Sequence, residues 1–361
     1  MSKCPICGGG MATLFAMPNM PICEANDGSA VDQSFLYCEG CSHGKLGTIV
    51  PPETLYGHGY AATAASLGST VGVDNFSAFI KKTTASRVFD CVVDIGGNDG
   101  SLLSHFPDQH RIAIDPNASS EYANIKQFIE DANLELMKGE RALICCSHTL
   151  EHIENPEKLF AKLKEFMTDG DVCAFQFPSL DLLVRDCRID QIYHQHMHYY
   201  SLRSISLLLA KYGFEIVAHE FDSSHYGALM IIFRKGLAEA HGENIKAMNI
   251  EHANFMFREQ ALSLNARLSS GEVLIGYGAS QMFQLLNYYL PSASHLEYIV
   301  DEDEAKIGHR YANQIEVRPF HNMTGRSVLV TAFNTKMAVR SIVQKLFNMK
   351  ARDVIVPFNY L

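Results

Sequence analysis

The feature that most restricts the fold of this chain is the run from Val88 to Phe106. Val88-Phe89-Asp90-Cys91-Val92-Val93-Asp94-Ile95 is β-rich, breaks at Gly96-Gly97-Asn98-Asp99-Gly100, and resumes as a helical segment from Ser101 to Phe106. A buried strand, a glycine turn and a helix in succession begin a doubly wound unit, and alternating strands and helices imply a largely parallel sheet covered on both faces. The turn lets backbone N–H groups approach a ligand at a helix N-terminus. The next strand, Arg111 to Ile114, ends in Asp115, the offset from which a carboxylate accepts ribose hydroxyls.

The glycine spacing narrows the ligand. Asp94-x-Gly96-x-Asn98-x-Gly100 is not the dinucleotide pattern G-x-G-x-x-G. It is the acidic, alternate-glycine form of S-adenosylmethionine sites, in which no pyrophosphate is cradled and the acid faces the methionine end. Cofactor contacts are therefore expected from Asp94, Gly96, Gly97, Asn98, Gly100 and Asp115. Ser147 and His148 join them, because they follow the strand Ala142 to Cys146 and open a helix or turn over the adenine. His148-Thr149-Leu150-Glu151-His152 spells the inverted zinc-peptidase signature H-x-x-E-H. That chemistry needs a long helix, whereas a buried strand precedes the motif and Pro156 follows it, so His152 is read as a helix-start histidine beside the cofactor.

Five of the ten cysteines lie in the first 41 residues. Cys4-Pro5-Ile6-Cys7 and Cys38-Glu39-Gly40-Cys41 are two C-x-x-C pairs with glycine inside or just after each, the composition of zinc knuckles. Four thiolates make a closed tetrahedral site, structural rather than catalytic. The segment between the pairs must form its own loop or hairpin, and Cys23 within it is a substitute ligand in reserve. A net charge of −10 excludes the footprint of a nucleic-acid or anionic-membrane binder and favours a small-molecule partner. With no signal-peptide stretch and no apolar run near the ~18 to 20 residues of a membrane span, the chain is expected to be cytoplasmic.

These motifs together resemble the S-adenosylmethionine-dependent C-methyltransferases that act on nucleotide-activated deoxysugars. The resemblance rests on the cysteine knuckles, Asp94 to Leu103, Leu150-Glu151-His152-Ile153, and Asp190-Gln191-Ile192-Tyr193-His194-Gln195-His196 leading into Tyr199-Tyr200-Ser201-Leu202. It continues through Tyr226-Gly227-Ala228-Leu229 and Gly276-Tyr277-Gly278-Ala279 to Val300-Asp301. It implies an α/β chain in three parts: a small N-terminal zinc-binding region (1–55), a central class I methyltransferase Rossmann-like domain (56–236), and a helical linker with a second Rossmann-like domain for the substrate (237–361). It also implies that Tyr193 and His196 are catalytic, with His196 the general base. The chain departs from the family at Gln195, where a glutamate is usual, and at Ser280-Gln281-Met282-Phe283, where the family has a small, Lys-containing turn.

The chemistry suits those residue types. Removing a proton next to a ketone makes a carbon nucleophile; a histidine accepts a proton at neutral pH, and a tyrosine hydroxyl hydrogen-bonds the developing enolate oxygen. Tyr60, His194, Gln195, His225, Tyr226 and Gly278 are candidates for contact with a nucleotide-sugar, and Tyr56 with Tyr60 for closing the pocket. His194, His196 and His198 alternate, so a strand would point all three to one face, where a metal site is imaginable. A helix from Glu243 to Leu268 is expected from the recurrence of Ile245, Met248, Phe255, Leu262 and Leu268. O-methylation on the same scaffold is the first alternative. A nicotinamide oxidoreductase using Gly276-x-Gly278 and Asp301 is the second, and a scaffold without catalysis would require a damaged cofactor loop. The oligomeric state is left open.

Overall fold

The computed structural model describes residues 2–23, 27–55, 70–134, 139–224, 227–237, 239–333 and 336–358. At the N-terminus, β1 (Ala12–Pro21) and β2 (Ala30–Cys38) form an antiparallel hairpin between the two cysteine pairs, and β3 (His43–Leu46) pairs with β2. The segment between the knuckles is thus a hairpin, as its length requires.

The central sheet contains β4 (Cys91–Ile95), β5 (His110–Ile114), β6 (Ala123–Ile125), β7 (Ala142–Ser147) and β8 (Val172–Pro178), all parallel. Between these and the last two strands lies β9 (His198–Tyr200), which leaves the central sheet and pairs with β3. Then β10 (Phe214–Asp222) and β11 (Ala228–Lys235) complete the seven-stranded order β10-β11-β8-β7-β4-β5-β6, with β11 antiparallel to both neighbours. One reversed strand next to the edge of a parallel sheet is the class I methyltransferase arrangement. β4 has a neighbour on each side from opposite directions of the chain, so the crevice at the carboxyl ends of β4 and β7 is the ligand position.

Helices cover both faces because their apolar stripes match the sheet. Val71–Thr83 sets Phe76, Phe79 and Ile80 against Val92, Leu143 and Met230. On the other face, Pro156–Phe166 starts at the Asn155 cap with Pro in its first turn, and packs Leu159, Phe160 and Leu163 with Phe175 and Phe233. Each of these fully buried phenylalanines contributes about 1.5–3 kcal/mol. The expected helix from Ser101 to Phe106 is reduced to a single 3-10 turn, Leu103–His105. Six residues stopped by Pro107 are too few to nucleate an α-helix.

The C-terminal part has its own five-stranded parallel sheet, β12 (Leu274–Tyr277), β13 (Ile299–Asp301), β14 (Val317–Pro319), β15 (Ser327–Val330) and β16 (Asp353–Ile355), in the order β14-β13-β12-β15-β16. This is a second Rossmann-like unit. The long helix before it runs from Ala247 to Leu268, not from Glu243, because Tyr37 donates to the Ile245 carbonyl and Ser42 bonds Asn244 and Ile245, holding that stretch extended against the knuckle. The expected apolar stripe is also corrected. Met248, Phe255 and Leu262 are exposed, and the buried face is Ile250, Ala253, Phe257, Ala261 and Leu268. Two stripes share this helix, and packing chooses the one with small residues, which lets the backbone approach its neighbours closely. No helix among the described residues is long and apolar enough to cross a membrane.

Candidate active site

The cofactor loop is built tightly at the end of β4. Gly96 and Gly100 both have φ +77°, and a Cβ on Gly96 would lie 1.9 Å from Thr149 Oγ1. A Cβ on Gly97 would lie 2.9 Å from Ala113 Cβ, and one on Gly100 2.6 Å from Ser120 Cβ. The glycines therefore serve the packing of the loop on its own neighbours as well as access for a ligand. Asn98 also takes a left-handed conformation, which asparagine tolerates. Asp94 is buried, its Oδ1 without a hydrogen bond; burial first, then Asp115 and Asp99, pushes its carboxyl up to about 7. A buried acid with an unshared oxygen fits the amino group or sulfonium of S-adenosylmethionine. At the end of β5, Asp115 Oδ1 accepts the Asn117 N–H at 2.7 Å, and burial raises its pKa. Ser147 Oγ donates to Gln176 Oε1 at 3.1 Å, and His148 has φ +49°. These residues fit the cofactor in type and placement.

Thr149 links that loop to a cluster of histidines. The 3-10 turn Leu150–His152 follows it, and the ring of His152 lies 5.0 Å from that of His196 in an edge-on contact. Tyr193 Oη and His196 Nε2 are 2.8 Å apart. Glu151, 1% exposed, lies among these rings, with Oε1 3.4 Å from His148 Nδ1 and 3.9 Å from His152 Nε2. Ligating atoms of Glu151, His152 and His196 all fall within 4.8 Å of one another. His152 Nδ1 donates to the Gln195 carbonyl at 2.8 Å, and the Met197 N–H donates to the Glu151 carbonyl at 2.8 Å, which ties the two segments together. Burial lowers His148 to about 4 and brings His152 down as well. Burial, then the nearby His152 and His148, holds His196 well below its usual pKa, so it is neutral at physiological pH. Burial also raises Glu151 to about 7, and His152 partly opposes this.

The three alternating histidines do not share a face. Only His198 lies on β9; the turn before it sends His194 to Gln33 at 3.3 Å and to the Met20 carbonyl at 3.0 Å, and His198 pairs with His43 at 3.1 Å. Both ring nitrogens of His194 are engaged by the N-terminal hairpin, which removes it from the substrate candidates, and the metal site imagined from alternation goes with it. Gln195 is buried and gives its carbonyl to His152. The loop carrying Tyr193 is fixed from behind by a buried fork in which Arg188 donates twice to Asp190, both at 2.8 Å. Gly278, at φ +93° after β12, opens the turn before the helix Phe283–Tyr289. Leu285 and Met282 from that region pack with Ile189, Ile192 and Tyr193. Tyr56, Tyr60, His225 and Tyr226 lie outside the described residues. Asp301 accepts from Ala279 N at 2.6 Å and Asp303 N at 2.8 Å, so the carboxylate an oxidoreductase would need for ribose already serves its own loop.

At the N-terminus Cys4 and Cys41 sulfurs lie 3.5 Å apart, as do those of Cys7 and Cys38. Four sulfurs about 2.3 Å from one zinc would be roughly 3.8 Å apart. Cβ atoms on Gly9 and Gly40 would lie 3.3 and 3.9 Å from Cys7 Sγ, so both glycines keep the sulfurs accessible. The thiols perturb one another: the contact with Cys41 lowers Cys4 to about 5, and burial pushes Cys38 up to about 11. A cation is what would let all four ionise together, and the cluster is compatible with zinc. Cys23 is excluded from it, buried instead with Met17 and Met20. None of the ten cysteines forms a disulfide.

Sequence reasoning missed Glu151 as a member of the site. The H-x-x-E-H string had placed it one residue from His152, but its meaning depended on His196 arriving from another segment.

Residues 73–219 match a family described as "Methyltransferase domain". The curated C-methyltransferase NovU of Streptomyces niveus is 22% identical over 219 residues, which is 56% of this chain and 51% of that protein. The chain thus spans about half the length of the curated relative it matches. Among solved structures, an S-adenosylmethionine-dependent methyltransferase from Clostridium acetobutylicum ATCC 824 aligns at 14% identity and TM-score 0.37, over 45% of this chain and 92% of that one. The magnesium protoporphyrin IX methyltransferase of Synechocystis PCC 6803, with bound S-adenosylmethionine, aligns at 14% identity and TM-score 0.36, over 51% and 89%. The fold itself rests on the strand order. Residues 73–219 thus carry a methyltransferase-type domain, with the strand order of that fold and an intact acidic glycine loop.

Proposed function

We propose that this enzyme methylates a nucleotide-linked keto-sugar at the carbon next to its ketone, with His196 as general base and a structural zinc on Cys4, Cys7, Cys38 and Cys41. The observation that carries this reading is the 2.8 Å contact of Tyr193 Oη with His196 Nε2, set beside the cofactor loop through Thr149 and Gly96. Asp94, Asp115 and the glycine loop would hold S-adenosylmethionine, which would supply an electrophilic methyl group on a sulfonium. The protein's task is then to make a nucleophile. A neutral His196 takes the proton from carbon, and the Tyr193 hydroxyl hydrogen-bonds the enolate oxygen as charge develops there. The match to a C-methyltransferase supports carbon as the acceptor. In the same reading the chain is organised as residues 1–55, 56–236 and 237–361, and the C-terminal unit holds the nucleotide.

The test uses S-adenosylhomocysteine calorimetry and mass spectrometry of products from a panel of nucleotide-linked keto- and hydroxy-sugars. His196→Ala should lower turnover by at least about 100-fold, the low end for a general base, and leave cofactor affinity within a few fold. Loss of cofactor binding instead removes His196 from the base role, and methyl ether products replace carbon methylation by oxygen methylation.

A further inference from the structure

A buried amide is costly unless every donor and acceptor on it is used, and Gln33, 3% exposed on β2, uses all four. Its Oε1 accepts the backbone N–H groups of Ser34 and Thr48, both at 2.9 Å, and its Nε2 donates to the Thr48 carbonyl at 2.8 Å. Those three backbone contacts fix which end of the amide is which. The remaining N–H is directed at His194 Nδ1, 3.3 Å away, in the turn between Tyr193 and His196. We propose that Gln33 is a positioning residue for the reaction, acting through His194 to hold Tyr193 and His196 in place beside the cofactor loop. This rests on the reading of Tyr193 and His196 as the catalytic pair.

The partners of the imidazole leave it one arrangement. The Met20 carbonyl can only accept, so His194 Nε2, 3.0 Å from it, carries the proton, and Nδ1 of the neutral ring is the acceptor that Gln33 needs. His194 is 2% exposed, and burial lowers its pKa, which keeps the ring in that neutral form. The other tautomer would set an N–H against the Gln33 N–H, and Gln33 cannot turn over without setting its own N–H groups against those of Ser34 and Thr48. The turn has few bonds of its own: the His196 N–H donates to the Tyr193 carbonyl at 3.0 Å, and the Tyr193 N–H to Tyr199 Oη at 3.3 Å. Of the two residues between Tyr193 and His196, Gln195 has its amide nitrogen buried with no partner among the described residues, whereas His194 is tied through both ring nitrogens. Both ties run to the N-terminal hairpin, to Met20 on β1 and Gln33 on β2. The side-chain hold on the middle of the turn is therefore the one that the Gln33 amide orients.

The test is a double-mutant cycle on the full chain, purified with zinc present and assayed on the nucleotide-linked keto-sugar that wild type methylates. Gln33→Met removes all four bonds, Gln33→Glu keeps the two accepted from Ser34 and Thr48, and His194→Phe removes the imidazole but leaves Gln33 on its backbone partners. A base displaced by about 1 Å loses roughly 100-fold in rate, so each variant should lower kcat by about tenfold or more, with KM and S-adenosylhomocysteine affinity within about threefold. The double variant Gln33→Met with His194→Phe should be no slower than the slower single one, since both remove the same tie. An unchanged kcat in a folded Gln33 variant overturns the proposal, and so do additive losses, which would place the effect of Gln33 in the hairpin and not in His194. NMR of 15N-labelled histidine reads the arrangement without a sugar: wild-type His194 carries its proton on Nε2, and the His196 ring signals, assigned with His196→Asn, move in Gln33→Glu. If neither Gln33 variant folds, wild type and His194→Phe decide, and a His194 protonated on Nδ1 or an unchanged kcat in His194→Phe refutes the tie. Wild type that binds no S-adenosylhomocysteine, or methylates no keto-sugar, overturns the catalytic reading instead, a failure told apart by the His194 tautomer, which is read without substrate.

Discussion

Gly96→Ala is the sharpest mutational probe of how the cofactor loop is joined to the histidine cluster. Two costs can be separated on the structure. The first is conformational: Gly96 has φ +77°, and a side chain in the left-handed region costs about 1–2 kcal/mol. The second is steric, because the new Cβ would lie 1.9 Å from Thr149 Oγ1 and 2.8 Å from both Thr149 Cβ and Cγ2. Forcing a methyl group into packed surroundings costs about 1–3 kcal/mol. The sum is about 2–5 kcal/mol, read by denaturant unfolding with cofactor absent. Thr149→Ala removes Oγ1 and Cγ2 but leaves Cβ, so the double variant should recover about half of the steric part and none of the conformational part. Calorimetry with S-adenosylhomocysteine should show weakened binding in Gly96→Ala, since Thr149 can yield only by moving the turn that carries Glu151 and His152. A loss below about 1 kcal/mol, or strictly additive losses in the double-mutant cycle, would refute the contact argument.

Cys38→Ser should bring metal content, measured by mass spectrometry, well below one zinc per chain, and should raise amide hydrogen exchange at His198–Tyr200, which pairs with β3; unchanged metal content removes the four-cysteine site. His198 has its pKa lowered to about 4 by burial, against 6.5 in an unfolded chain, so protonation favours unfolding. The stability it contributes is fully present above pH 6.5 and lost as pH falls toward 4. His198→Asn should reduce the acid-induced loss in that window by up to about 3 kcal/mol, measured by unfolding at stepped pH, and an unchanged pH slope would refute the assignment.

What was legible in the sequence was whatever depended on neighbours in the chain. The strand before Asp94, the glycine turn, the paired cysteines and the hairpin between them are short-range patterns, and each stands in the structure close to where periodicity and turn chemistry put it. The errors share a cause. Alternation of His194, His196 and His198 suggested one face, but a turn precedes β9 and the three rings go to the hairpin, the site and His43 in turn. On the long helix, Met248, Phe255 and Leu262 formed the more apolar stripe, yet tertiary contacts selected Ile250, Ala253 and Phe257. Glu151 was visible as a letter in a motif but acquires a role only when the segment ending in His196 folds back over it, 45 residues later in the chain. Long-range convergence of that kind leaves no periodic trace.

The placement of β9 explains why a structural metal would matter to chemistry at a distance from it. One residue separates Cys41 from the start of β3, and one residue separates His196 from the start of β9. These strands pair His43 with Tyr200 and Gly44 with Tyr199, and the Leu46 N–H donates to the Met197 carbonyl at 3.0 Å. Ser201, the cap of the helix Leu202–Lys211, also gives its hydroxyl to the Ser42 carbonyl at 2.8 Å. The turn bearing Tyr193 and His196 is therefore held between Glu151 of the central domain on one side and the knuckle strand on the other. A turn so short has too few internal hydrogen bonds to fix ring positions, and a general base displaced by about 1 Å loses roughly 100-fold in rate. In the proposed reaction the cysteine cluster would bear on catalysis through the pairing of β3 with β9 rather than through the reacting atoms, and the same knuckle, through Ser42 and Tyr37, anchors the linker that leads to the C-terminal sheet.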